Sequence, residues 1–152
     1  MTHARQQIRD AIAAIVTGQG MWGDKVFKMR SYPLSEKIDA AICVYTTRSE
    51  NRPSVMSSMR AGQTYDVTLS ASIELFVVGN SETVYDTADS QSAIIENLIG
   101  EKPDLDGLVK DVSIVGVDTD VQTDGSVAFG TVSIEMSVLY RVSPTDAETI
   151  IQ

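Results

Sequence analysis

The sequence is poor in the residues that most often carry catalysis and metal binding. It contains one histidine, His3, and one cysteine, Cys43, among 152 residues. A single cysteine excludes an intrachain disulfide, and a single histidine without clustered cysteines excludes the usual zinc sites. Because Cys43 lies in the apolar run AICV, we predict that it fills a core strand, and we predict that His3 is an exposed polar residue. No catalytic residue, metal ion or cofactor is therefore expected.

Long apolar runs are also missing. No run approaches the roughly 18 residues that a membrane-spanning helix needs, and the N-terminus lacks the apolar core of a signal peptide. The protein is therefore expected to be cytosolic where it is made, with no membrane partner. With 152 residues, 43% of them apolar and 22% charged, the chain has the size and composition of a single domain covering residues 1–152.

Basic residues are scarce in the second part of the chain. Residues 1–60 hold nine Lys and Arg against five Asp and Glu, whereas residues 61–152 hold three against sixteen. The total of −9 argues against a dedicated nucleic-acid binder, which needs clustered positive charge. The asymmetry suits a protein whose unlike surfaces meet each other or a partner. A well-solvated acidic domain is the alternative interpretation.

Two segments have apolar residues at helical spacing. In the first segment, Thr2 is expected to cap the N-terminus and Gly18 to end the helix. In the second, Gly100 and Pro103 are expected to end the helix. The stripes are Ile8, Ile12, Ile15 and Val16 in the first helix, and Ala88, Ile94, Ile95, Leu98 and Ile99 in the second; the capping groups near the start of the second are Asp86, Thr87 and Asp89.

Five segments are predicted to form strands. The clearest is YDVTLSASIELFVV, in which apolar and polar residues alternate strictly, as in a strand with one buried and one wet face. Asp124-Gly125 suggests a tight turn between the last two strands, and a phase change suggests a β-bulge near Gly130. The five segments are 26–30, 40–46, 65–78, 109–121 and about 126–142. The order predicts an α+β fold: a largely antiparallel mixed sheet with two helices packed on one face.

The stretch GQGMWG, Gly18 to Gly23, has the G-x-G-x-x-G spacing of a dinucleotide-binding loop. That loop must follow a strand and open a helix, so that backbone N–H groups face the phosphates. Here the order is inverted, because the stretch follows a helix and precedes a strand. We therefore interpret the glycines as a helix end and a chain turn, without a nucleotide cofactor.

The polar segment 47–64 is a candidate for partner contact. It contains Pro and Gly, shows no periodicity, and carries Arg48, Arg52 and Arg60. Long segments of this kind are usually functional or disordered. We predict a flexible loop here that orders when it meets a partner.

Three other features of the sequence are candidate sites. Glu74 and Glu135 lie on the polar faces of two long strands, but they lack the flanking aromatic residues of a glycosidase cleft, so an interface role is favoured over catalysis. The stretch DTDVQTDG, residues 118–125, departs from the calcium-loop spacing and is interpreted as a hairpin tip. Trp22 either covers one end of the core or anchors a partner, since tryptophan is enriched at interface hot spots.

The order of elements is similar to that of the tail terminator proteins of long-tailed bacteriophages, the U-like minor tail proteins. The resemblance covers nearly the whole chain. It includes an N-terminal helix before a short strand, a basic loop after the second strand, and an alternating strand that ends in FVVG. It also includes a helix introduced by DTAD and a closing hairpin that ends in LYRV.

The resemblance implies a non-enzymatic virion protein that forms a hexameric ring. Such a ring caps the head-proximal end of the tail tube, ends polymerisation of the tube protein, and offers a docking surface to the head-completion protein; DNA only passes through its lumen. Assembly would occur in the host cytoplasm. The candidate interface residues are Trp22, Arg48, Arg52, Arg60, Glu74 and Glu135.

Two other interpretations remain open at this stage. Another neck component, such as a head-completion or tail-completion subunit, shares the size, acidity and ring habit. A small ligand-binding α+β domain would require buried polar groups converging on a cavity between sheet and helices.

Overall fold

The computed structural model describes residues 3–28, 40–53, 64–124, 127–143 and 146–151. These residues form two helices and one six-stranded mixed sheet, which confirms the predicted α+β fold. In chain order the elements are α1 (Ala4–Val16), β1 (Val26–Lys28), β2 (Ala40–Pro53), β3 (Tyr65–Asn80), α2 (Val84–Glu101), β4 (Asp111–Asp124), β5 (Val127–Ser143) and β6 (Asp146–Ile151).

The sheet is built around the long antiparallel pair of β3 and β5. Their register is continuous from Tyr65 opposite Val142 to Asn80 opposite Val127. The strand order is β1-β2-β3-β5-β4, and β6 pairs with the end of β5. β1 runs parallel to β2, while all other neighbouring strands are antiparallel. Consequently β2 and β4 run in opposite directions on opposite sides of the central pair.

Alternation along the strands separates two faces. On the helix face, β3 and β5 place the pairs Leu69–Val138, Ile73–Ile134 and Leu75–Val132 under the helices, and all six side chains are fully buried. α1 adds Ile8 and Ile12, and α2 adds Ile95 and Ile99 to the same core. The core thus lies between the helices and one face of the sheet. The opposite face, called the open face below, has no helix over it in the described residues.

The second strand is longer than its sequence suggested. Residues 47–53 belong to β2 and pair with β3, from Ser49 opposite Leu69 to Arg52 opposite Asp66. The expectation of an irregular loop is therefore wrong for this part. The segment has no apolar alternation to signal a strand, and the backbone pairing with β3 supplies the order. Residues 54–63 of the predicted loop lie outside the described part of the chain.

The bulge expected near Gly130 is not present, because the register of β5 against β3 and β4 is continuous there. Val127 and Phe129 lie on the open face. Their apolar side chains belong to that face and do not mark a shift in the alternation of the strand. The register shifts lie in the neighbouring strands. In β2 the shift falls between Thr46 and Ser49, and in β4 it falls around Val115.

The helix ends also differ from expectation. Thr2 lies outside the described residues, and His3 is the N-cap of α1, its Nδ1 accepting a hydrogen bond from the Arg5 backbone at 3.1 Å. The N-cap of α2 is Thr83, ahead of the three capping groups expected. Gly18 has φ +77°, as expected for a helix end, but Gly100 lies within α2.

The strand β6 was not predicted. Its short segment, DAETII, alternates too briefly to stand out. The side chain of Asp146 stabilises the start of β6, because the Asp146 Oδ1 accepts hydrogen bonds from the backbone N–H groups of Glu148 and Thr149. Gln7 of α1 donates to the Glu148 carbonyl, so β6 also contacts the first helix.

Candidate assembly surface

The open face is a broad, mostly polar surface of the described sheet. Small hydroxyl side chains and carboxylates occupy its centre, and they alternate with the buried residues of β3 and β5. No described helix covers this face, so these side chains lie outside the core between the helices and the sheet. The central positions are Thr68, Ser70, Ser72 and Glu74 on β3, and Thr131, Ser133, Glu135 and Ser137 on β5.

Glu74 and Glu135 are diagonal neighbours on this face, as the two long strands suggested. Glu74 is opposite Ser133, and Glu135 is opposite Ser72. Residues in this relation lie roughly 7–8 Å apart. No hydrogen bond or ion pair joins either carboxylate to another described residue, and no group of three metal-ligating side chains occurs among the described residues. The pair therefore gives the centre of the face a negative charge without forming a metal centre.

One end of the open face is apolar. The rings of Phe76 and Phe129 stack with their centroids 6.0 Å apart. Val78 is paired with Phe129. Val127, the first residue of β5, lies on the same face and is 42% exposed. Sequence reasoning missed this patch because it interpreted Val127 and Phe129 as a change of strand phase.

A groove crosses the centre of the open face from edge to edge. Its volume is about 310 Å³, and it runs between the irregular position of β2 at Thr47 and that of β4 at Val115. Between these ends it passes Ser70, Ser72 and Glu135. A single paired row, Thr46–Ala71–Met136–Ile114, runs beside both irregular positions. Since bulges bend a strand and increase its twist, this row marks where the sheet bends.

The three arginines of the predicted loop have different positions. Arg48 lies in the bulge of β2, is largely exposed, and forms an ion pair with Glu50 at 3.1 Å. Arg52 is exposed near the end of β2, opposite Asp66. Arg60 lies outside the described residues. The structure therefore places Arg48 and Arg52 on the same outer stretch of one strand.

A row of alternating charge crosses the sheet at Arg52. Asp66 of β3 lies between Arg52 of β2 and Arg141 of β5. The Arg141 Nε donates to Asp66 Oδ1 at 2.8 Å, and both side chains are half-buried. Asp66 is thus paired with Arg141, and Arg52 has no ion pair with any described residue. The sequence holds no local signal for this pair, because its members are 75 positions apart.

Arg9 adds a second cation without a carboxylate partner among the described residues. This half-buried side chain of α1 reaches β2, where its Nη1 donates to Thr46 Oγ1 at 3.2 Å. Its Nε is buried and has no hydrogen-bond partner among the described residues. A buried donor left unpaired costs about 1–3 kcal/mol. Arg9 therefore brings a positive charge to the helix face of β2 at Thr46.

The opposite edge of the sheet is acidic. β4 is the last strand on that side, and its open-face positions include Asp118 and Asp120, both exposed. No described residue forms an ion pair with either aspartate. Val115 and Val117 of the same strand are 64% and 42% exposed. The sequence interpretation treated this stretch as a hairpin tip and missed its role as a sheet edge.

Trp22 belongs to the core of the chain. Its side chain is 1% exposed, and its Nε1 donates to the Val16 carbonyl at 2.7 Å. The glycine stretch therefore joins α1 to β1 and covers one end of the core, with no strand before it that a nucleotide loop would require. Trp22 presents almost no surface to a partner.

Cys43 is buried, as predicted, although its register opposite Glu74 places it on the open face. Tyr45 lies two residues further along the same strand. Burial, followed by contact with Cys43 and the charge of Glu74, raises the pKa of Tyr45 well above its ordinary value. Tyr45 therefore keeps its proton to a higher pH than a solvent-exposed tyrosine does.

None of the described helices is both long enough and apolar enough to cross a bilayer. No protein-family model and no curated protein matches this chain. Solved structures do match. One, which bears no functional description, is 14% identical over 88% of this chain and 94% of its own, with a TM-score of 0.43. Another is a chain from the virion of a native gene transfer agent particle, 13% identical over 90% of this chain and 92% of its own, with a TM-score of 0.40. Both are distant likenesses.

Proposed function

We propose that the protein is a structural component of a phage-like tail: a ring, most simply a hexamer, that caps the head-proximal end of the tail tube. The ring ends polymerisation of the tube protein and presents a docking surface to the head-completion protein. It works by binding, without an enzymatic step. The proposal starts from the resemblance in element order to tail terminator proteins.

The open face is the observation that carries this proposal. Strands of 14 to 17 residues present a broad, twisted surface of hydroxyls and carboxylates, far larger than the groove within it. Ligand sites are concave and mostly apolar, with a few convergent polar groups. A broad, open sheet face of this kind is instead suited to extended contact or to solvent. In a ring, this face can line a polar channel through which DNA passes without adhering, because the central carboxylates repel phosphate.

Charge separation between the two sides of the sheet supports a ring in particular. Ring closure requires heterologous interfaces, in which one patch of a subunit meets a different patch of the next. The β2 side carries Arg9, Arg48 and Arg52, and the β4 side carries Asp118 and Asp120. Two unlike patches on opposite sides of one subunit meet this requirement.

The first test is the solution mass measured by light scattering after size exclusion, over a hundredfold range of protein concentration. Six copies of the 16.5 kDa chain would weigh about 99 kDa. We expect growth from the monomer to one closed species near that mass, with nothing larger. A strict monomer at every concentration, both alone and with purified tube protein, would contradict the proposal.

Negative-stain electron microscopy of tube protein polymerised with and without this protein tests the position of the ring. We expect shorter tubes, each with extra density at one end. A ring that leaves tube length unchanged and binds the portal side would instead identify another neck component.

A further inference from the structure

We infer that neighbouring subunits join edge to edge, with the β4 edge of one copy paired antiparallel to the outer stretch of β2 in the next copy. This inference rests on the proposed ring and names its interface. The two surfaces are the acidic edge, Gly116–Thr123 of β4, and the basic edge, Thr47–Arg52 of β2. The occupant of each edge is a second copy of this chain.

Both edges lack a neighbouring strand in the described residues. β1 pairs with β2 only at Ile42–Val44, so the basic edge has no described strand beside it. β4 is the last strand on its side, and β6 lies beside β5. An unpaired edge presents a row of backbone N–H and C=O groups that can template pairing with another chain. Natural proteins often protect the edge of a sheet from pairing by keeping the edge strand short, and β4 is a long strand.

The strand directions are compatible with a closed ring. β2 and β4 run in opposite directions within one subunit. Rotation about an axis that runs roughly along the strands keeps their directions, so the β4 of one copy meets the β2 of the next in antiparallel orientation. The same rotation keeps every open face on the same side. The sheet therefore continues from subunit to subunit, with the open face and the helix face each remaining on one side.

Charge selects the partner edge. The acidic edge carries Asp118 and Asp120, neither of which is paired with a described residue. The basic edge carries Arg52, which has no ion pair with a described residue, and Arg48, whose ion pair with Glu50 lies within the same edge. Pairing two acidic edges or two basic edges would place like charges together, and such repulsion suppresses wrong pairings at an interface. Only the pairing of an acidic edge with a basic edge places opposite charges together. This pairing generates a head-to-tail interface.

The two bulges keep these edges from pairing indiscriminately. Thr47 and Arg48 together oppose Ser70, and Val115 interrupts the register of β4 beside the same sheet row. Bulges disturb the edge ladder and are a common protection against unwanted pairing. Beyond Val115 the acidic edge is regular from Gly116 to Thr123, and beyond the bulge the basic edge is regular from Ser49 to Arg52, so regular backbone pairing is limited to these stretches.

Charge-reversal variants test the interface by light scattering. We expect Asp118→Arg/Asp120→Arg alone, and Arg48→Asp/Arg52→Asp alone, to raise the half-assembly concentration by about tenfold or more. A 1:1 mixture of the two variants should recover assembly, since each mutated edge then meets an opposite charge. The chain that carries all four changes should also assemble. In a ring, the mixture closes only with an even number of subunits, so a hexamer is compatible.

Asp89→Arg/Glu101→Arg is the matched control, because it makes the same charge change at exposed positions of α2. We expect this variant to assemble like wild type. Loss of assembly in the control would overturn the inference, as would wild-type assembly of the two edge variants. If wild type itself never assembles, the proposed ring fails; if wild type forms rings that the edge variants leave intact, only the edge-to-edge interface fails.

Amide hydrogen exchange distinguishes strand pairing from simple charge contact. In assembled wild type, we expect slower exchange over Gly116–Thr123 and Thr47–Arg52 than in the diluted monomer. Assembly with unchanged exchange at both edges would overturn the strand pairing.

Discussion

At the residue scale, Gly20 leaves no room for a side chain. A Cβ built there would overlap Trp22 Cζ3 and would lie 2.7 Å from Gln91 Oε1. Trp22 is buried and tied to Val16 through its indole N–H, so it cannot swing away without opening the core. We expect Gly20→Ala to lower the free energy of unfolding by about 1–3 kcal/mol, measured by urea denaturation.

Gly100→Ala is the control for that experiment. Gly100 lies in α2, and a Cβ there would meet nothing within 4 Å. Alanine is the better helix former, so we expect a gain of about 0.5–1 kcal/mol. If Gly20→Ala were equally stabilising, the close packing of Trp22 against this turn would be disproved.

Tyr140 makes the free energy of unfolding depend on pH in the alkaline range. Its burial on the helix face raises its pKa, and the positive charge of Arg5 opposes the shift in part. The folded state therefore holds the proton at a pH at which the unfolded chain loses it. The stability contribution is full below the unfolded pKa of about 10 and declines as the pH rises beyond it.

We expect the urea midpoint to fall between about pH 8 and about pH 10.5, and to fall less in Tyr140→Phe. Tyr45, whose pKa is also raised, retains part of the dependence in that variant. An equally steep decline in Tyr140→Phe would assign the alkaline effect to other groups.

At the element scale, Gly130 lets α2 pack closely on the sheet. A Cβ at this position would lie 3.0 Å from Val77 Cγ2 and 3.2 Å from Val84 Cγ2. Val84 opens α2, so a larger residue at Gly130 pushes the start of the helix off β5. We expect Gly130→Val to cost about 1–3 kcal/mol of unfolding free energy.

Gly116→Val provides the comparison, because a Cβ at Gly116 would meet Glu135 Oε2 only at 3.8 Å. Valine suits strands, and we expect little loss of stability at this position. Equal losses in the two variants would argue against close approach of α2 as the reason for the glycine.

The elements that the sequence predicted are those whose burial leaves a periodic pattern. β3 and β5 alternate because one side of each packs under the helices, and α1 and α2 carry apolar stripes for the same reason. The outer half of β2 has no such pattern, since its partner β3 orders it through backbone pairing. Val127 and Phe129 were misinterpreted because the open face is itself apolar at one end, where Phe129 stacks on Phe76.

The candidate surface was only partly predictable for a related reason. Arg48, Arg52, Glu74 and Glu135 were found as unusual charges within local segments. Their arrangement depends on sheet order, which brings together residues far apart in the sequence. Asp118 and Asp120 lie at an edge of the sheet because β4 is the last strand on its side, and the local sequence does not reveal that position.

At the scale of the whole molecule, the sheet connects two edges of opposite charge. Each subunit therefore has a direction across its strands, from the basic edge to the acidic edge. A directional subunit with complementary sides builds a ring or a filament, and the rotation between subunits decides which. In the proposed ring, that rotation would come from the twist of the sheet and from its bend beside the two bulges.

Salt is expected to weaken assembly if the charged edges hold the ring. Exposed charges are screened over about 10 Å at 0.1 M ionic strength and over about 3 Å at 1 M, whereas apolar contacts gain slightly from salt. We expect the half-assembly concentration of wild type to rise as sodium chloride is increased. Asp118→Asn/Asp120→Asn should assemble less readily at low salt and respond less to added salt. If the neutral variant kept the full salt dependence of wild type, the charges that hold the ring together would lie outside the acidic edge.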